Sequence, residues 1–106
     1  MNIERYTQKL QILLQNAQLS AVKASHQHFT SWHILGVSLQ DDFAASFLPK
    51  SLTSIVTKEL DKIPKVSGAQ QIYLAPETVK LFDFMETLSQ QQGDAFVSIE
   101  VLLVGL

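Results

Sequence analysis

The sequence predicts an all-α fold built as a tandem helical repeat, on three observations. Apolar residues recur at three- and four-residue steps through most of the chain, the spacing of one helix face. No stretch shows convincing period-two alternation. An offset of 68 positions also lays the end of the chain over its beginning without a gap. Leu13 then falls on Leu81, Leu14 on Phe82, Ala17 on Met85, Phe29 on Val97 and Ile34 on Leu102. Self-similarity of this kind marks a duplicated supersecondary unit.

The elements follow in order. From Thr7 to Ser25, the residues Leu10, Leu13, Leu14, Ala17, Ala21 and Ala24 form one face of a helix. Thr7 is its N-cap, because a hydroxyl there accepts from an unpaired first-turn N–H. "SHQHF" breaks the pattern, and Thr30 or Ser31 caps a second helix through Leu39. "DDFAASFLPK" reads as a short helix or turn ending near Pro49. Leu52, Ile55, Val56, Leu60 and Ile63 make a further stripe, which Pro64 stops.

"PKVSGAQQIYL", residues 64–74, is the connector. Pro76 opens the next helix at no cost in hydrogen bonding. Val79, Leu81, Phe82, Met85 and Leu88 carry it to about Gln92, and Gly93 ends it. Ser98 caps a last helix still running at Leu106. The chain therefore reads as one domain, 1–106, with repeat one over about 1–63 and repeat two over 75–106. The second copy reads as truncated, since it lacks counterparts of the segments that follow Leu39.

Composition removes several function classes. With 46% hydrophobic and 17% charged residues the chain is globular rather than disordered. A net charge of −2 with scattered Lys and Arg gives no basic stripe for nucleic acid. Cysteine is absent, which excludes disulfides, thiol catalysis and thiolate metal sites. No apolar run is long enough to span a membrane. The charged start "MNIERYTQKL" is unlike a signal peptide, so a cytoplasmic location is the simplest reading. "SGAQQIYL" lacks the second glycine and the lysine of a phosphate cradle, so no nucleotide cofactor is expected. His26, His28 and His33 have no cysteine or well-spaced carboxylate to complete a metal site. Ser20 and Ser25 lie near histidines in sequence only, which is no basis for a nucleophile. The expectation is a binding module, not an enzyme.

The repeat also points to a surface. Matched positions share burial, so a polar residue in one copy and an apolar one in the other needs a reason beyond folding. Asn16 becomes Phe84, Ser20 becomes Leu88, and His33 becomes Val101. Relative to Leu81, Phe84 lies about 60° and Leu88 about 20° to the same side of the helix. Either these residues pack against the other repeat, or they line a partly open apolar groove.

The helix opening on Tyr6-Thr7, with "SHQHFTSWHIL", "ELDKIPKVSGAQQIYLAPETVKLFD" and "GDAFVSIEVLLVGL", resembles the double Clp repeat. That is the amino-terminal domain of the Clp/Hsp100 ATPases, and the connector is similar to the ClpB-like disaggregase branch. Ser25 stands where that family usually has glycine, and Trp32-His33 where it usually has Glu-His. The resemblance implies substrate handling by Thr7, Asp94 and Glu100 beside an apolar groove at Phe84, Leu88 and Val101. Capping is the alternative for Thr7 and Glu100, and loop anchoring for Asp94. It further implies clients that are unfolded or aggregated polypeptides, a homohexameric full-length protein, and an isolated domain that is monomeric. The competing reading is a docking platform for a folded adaptor protein.

Overall fold

A computed structural model of the chain describes residues 5–66, 73–93 and 96–106. Helix α1 (Gln8–Lys23) starts where Thr7, in extended conformation, accepts the Leu10 N–H on its Oγ1 at 3.3 Å. Leu10, Leu13, Leu14, Ala17 and Ala21 form its buried face. It ends two residues before the expected Ser25, in a Schellman turn. The Ser25 N–H donates to Val22 O and the His26 N–H to Ala21 O, both at 3.0 Å. Ser25 takes the left-handed conformation this requires, at φ 61°.

Strand β1 (His28–Phe29) leads into α2 (Ser31–Gln40), with Thr30 as N-cap. The one-turn helix α3 (Asp42–Ala45) opens on Asp41, whose carboxylate accepts the Ala44 N–H at 2.9 Å. Helix α4 (Leu52–Asp61) packs on the outside of α2. Of its expected stripe only Val56 is fully buried; Leu52, Leu60 and Ile63 are half-buried, and Ile55 is exposed. One neighbour can cover only a narrow band of a helix. Strand β2 (Tyr73–Leu74), α5 (Pro76–Gln91) and α6 (Ile99–Gly105) complete the order. Gly93 ends α5 at φ 72°, 68 positions after Ser25.

The short strands are the one departure from a purely helical reading. β1 and β2 pair in parallel, Phe29 opposite Leu74, and a matching bridge joins Tyr6 to Val97. The Thr7 N–H donates to Val97 O at 2.9 Å, and the Ala75 N–H to Phe29 O at 3.1 Å. Each long helix is thus entered from a pairing with the other half of the chain. Two residues per strand are too few to leave a period-two trace in the sequence.

One apolar cluster joins both halves, with Leu10, Leu13 and Ile34 from one and Leu81, Met85 and Leu102 from the other. The Tyr6 ring lies 6.3 Å from that of Phe82. Burial first, and then the Glu86 carboxylate, holds the Tyr6 phenol well above its ordinary pKa.

Candidate functional site

An open groove of about 370 Å³ lies between α2, α5 and α6. Phe84 forms one wall at 45% exposed, with Trp32 and Leu35 of α2 across from it and Leu106 closing one end. Gly105 lets α6 come close beneath. A Cβ there would sit 2.7 Å from Leu81 Cδ1 and 3.0 Å from Phe84 Cδ1, so any larger residue would push the aromatic wall aside. Glu77 and Lys80 stand on the rim.

A second depression, of about 340 Å³, is lined by Thr7, Lys9, Phe43, Ser98 and Glu100. It brings together two of the residues singled out from the sequence, Thr7 and Glu100. Thr7 is half-buried and caps α1 as described; Glu100 is exposed in the first turn of α6, where its charge complements the helix dipole. Asp94 lies outside the described residues. Of the five described positions, Thr7 and Glu100 share this depression, while Phe84 stands on the groove between α2, α5 and α6.

Two of them sit elsewhere than an open groove wall. Val101 is 4% exposed and belongs to the core. Leu88 is half-buried and packs against that core. On a helix the two flanking positions differ by only about 40°, so Leu88 stays inside the covered sector while Phe84 falls outside it. Sequence comparison missed Trp32 and Leu35 as groove walls. The signal was present, because Trp32 matches Glu100 at the same offset, a polar-to-apolar difference running the other way.

The histidines divide. His26 and His33 are buried, 4% and 1% exposed, with His26 Nδ1 and His33 Nε2 2.8 Å apart. The Thr30 N–H donates to His33 Nδ1 at 3.0 Å, the contact a Glu or Gln makes in a capping box. That donor makes Nδ1 an acceptor, so Nε2 carries the proton and donates to His26. Burial, and then the neighbouring His26, holds His33 down to about 4. Burial and then Lys65 lower His26, against an opposing pull from Asp61. His28 is exposed, its ring 6.4 Å from that of Tyr73. Among the described residues no three His, Cys, Asp or Glu side chains come together as metal ligands. No described helix is long and apolar enough to cross a membrane.

Fold and site together define a mostly helical repeat domain that presents shallow apolar grooves. Its sequence is matched over residues 5–106 by the family described as "Clp repeat (R) N-terminal domain", and the chain belongs to that family. The chaperone protein ClpB of Rhodopseudomonas palustris is 38% identical over 116 residues, covering 100% of this chain and 13% of that protein. ClpB of Brucella suis is 38% identical over 115 residues, with the same shares. The chain thus spans 13% of the length of these relatives. Among solved structures, the Hsp104 N-terminal domain from Candida albicans aligns with a TM-score of 0.82 at 18% identity, over 94% of this chain and 71% of that one. The N-terminal domain of the ClpV1 ATPase from E. coli also gives 0.82 at 18% identity, over 98% and 68%. At such identity these two speak for the fold.

Proposed function

We propose that this chain is the client-engaging amino-terminal domain of a ClpB-like, ATP-driven chaperone, contacting unfolded or aggregated polypeptide before the motor acts. The work is binding. ATP hydrolysis, hexamer assembly and a cytoplasmic setting belong, in this reading, to the full-length protein. One observation carries it: Phe84 stands exposed beside Trp32, Leu35 and Leu106, at a position where the other half of the fold is content with Asn16. An apolar wall that folding does not require is what capture of apolar segments needs. Full burial of such a side chain contributes roughly 1.5–3 kcal/mol, and a shallow groove realises only part of it. Capture is then weak and reversible, as handing a client onward demands. Glu100 and Thr7, in the neighbouring depression, offer acceptors to backbone N–H groups of an extended client.

Phe84→Ser tests this. It should weaken binding to a permanently unfolded model protein several-fold, mainly through faster release, while the circular-dichroism melt stays nearly unchanged. Undiminished binding by the folded variant would put the client surface elsewhere. Selectivity for one folded partner at fixed stoichiometry, in place of many apolar sequences, would favour adaptor docking instead.

A further inference from the structure

Helix α4 and the residues after it, 52–66, lie over α2 like a strap. Val56 alone of α4 is fully buried, and it stands outside the apolar cluster that joins the two halves. The Thr57 hydroxyl donates to Thr53 O and Lys62 pairs with Glu59, so both contacts stay inside the strap. What ties it down lies at its far end. The Val66 N–H donates to Ser25 O at 2.8 Å, and Lys65 forms an antiparallel bridge with His26. Beneath the strap is a cavity of about 220 Å³, lined by Ser20, His33, Gly36, Gln40, Thr53 and Thr57.

The tie thus ends on the His26–His33 pair, which has no place for a further proton. His33 Nδ1 accepts from the Thr30 N–H, and His26 Nδ1 accepts from His33 Nε2. A proton added to either acceptor meets a donor. Both rings are buried, so the added charge also lacks water. Lys65 opposes charging of His26, and Asp61, the last residue of α4, favours it less strongly. His33 in turn feels the charge of His26.

A protonated pair reaches water in one of two ways: the whole chain unfolds, or the strap lifts. Lifting breaks the Val66–Ser25 bond and uncovers Val56 with the half-buried Leu52, Leu60 and Ile63. The cluster around Leu10, Ile34 and Met85 stays packed. The polar lining of the cavity then gives water a path to His33. Lifting is the smaller loss.

We propose that residues 52–66 are an acid-released strap, which protonation of the His26–His33 pair lifts from α2 while the two halves stay joined. The α2 face around Gly36 and Val37 is then uncovered by acid. The histidines of the open form take up protons from about pH 6.5 downward. The closed form is therefore favoured above that pH and loses ground as the pH falls.

Native-state hydrogen exchange on the intact chain tests this, read as protection factors corrected for the intrinsic rate at each pH. Amides of α4 should exchange faster than the slowest amides of α1 and α5, through an opening that mild denaturant barely promotes. From about pH 7 to about pH 5, protection in α4 should fall about tenfold or more. His33→Gln removes one proton site and should shrink that change severalfold. Asp61 and Lys65 are exposed, so variants at either should fold. Asp61→Asn should enlarge the response to acid, and Lys65→Gln should reduce it. Protection in α4 that does not change with pH overturns the proposal. So does exchange of α4 only together with α1 and α5, or one and the same acid response in all three variants.

Discussion

Ser25 shows how one residue carries a cost the fold tolerates. Its φ of 61° is left-handed, which costs an L-residue roughly 1–2 kcal/mol that glycine avoids. Gly93, at the matched place, does the same work without that strain. Ser25→Gly should therefore raise stability by about 1 kcal/mol in chemical denaturation, despite the added flexibility of the unfolded chain. No gain would mean that the Ser25 side chain contributes something glycine cannot. The buried His26–His33 pair sets a pH dependence at the same scale. Protonating His33 Nδ1 would face the Thr30 N–H, and protonating His26 Nδ1 would face the His33 donor. The folded state thus resists protons that the unfolded chain takes up from about pH 6.5 downward. Stability is fully present above that pH and falls as the medium is acidified toward 4, where His33 itself titrates. Between pH 6.5 and 5, before most carboxylates respond, His33 alone should account for about 2 kcal/mol of loss. His33→Gln keeps a group able to accept from Thr30 and should flatten that slope. An unchanged slope in the variant would assign the effect to other groups.

At the scale of elements, legibility followed the amount of chain each signal spans. The sixteen residues each of α1 and α5 repeat their apolar positions several times, so both were readable, as were the Thr7 and Thr30 caps. The strand pairs were not, because each is set by a partner distant in sequence and leaves two residues of local trace. The site was half legible for a related reason. Comparing copies singled out Phe84, but whether Leu88 is covered depends on how the helix packs, which no periodicity encodes. Its half-buried position changes what a mutant will report. Leu88→Ser should destabilise by roughly 1–3 kcal/mol, whereas Phe84→Ser should leave the melt nearly unaltered. Equal melting of the two variants would place both side chains on the same open wall.

Across the whole molecule, the crossed pairings make each half depend on the other. Tyr6 bridges to Val97 while Phe29 pairs with Leu74, so each long helix is anchored by backbone from the opposite half. Thr78 adds to this, its hydroxyl donating to Phe29 O at 2.7 Å from the first turn of α5. The apolar cluster runs through both halves without a seam. A repeat array with independent units would lose its copies one at a time. This arrangement should instead open as one cooperative unit. Leu13 and Leu81, 3% and 7% exposed at matched positions, provide the test. Leu13→Ala should cost about 2–5 kcal/mol through lost contacts and the cavity left behind. In native-state hydrogen exchange, the slowest amides of α1 and of α5 should then lose protection by the same free energy, although Leu13 lies on α1 alone. Leu81→Ala should produce the same paired loss from the other side. Protection lost in α1 while α5 keeps its full value would show that the halves open separately, with the crossed strands acting only as local helix caps.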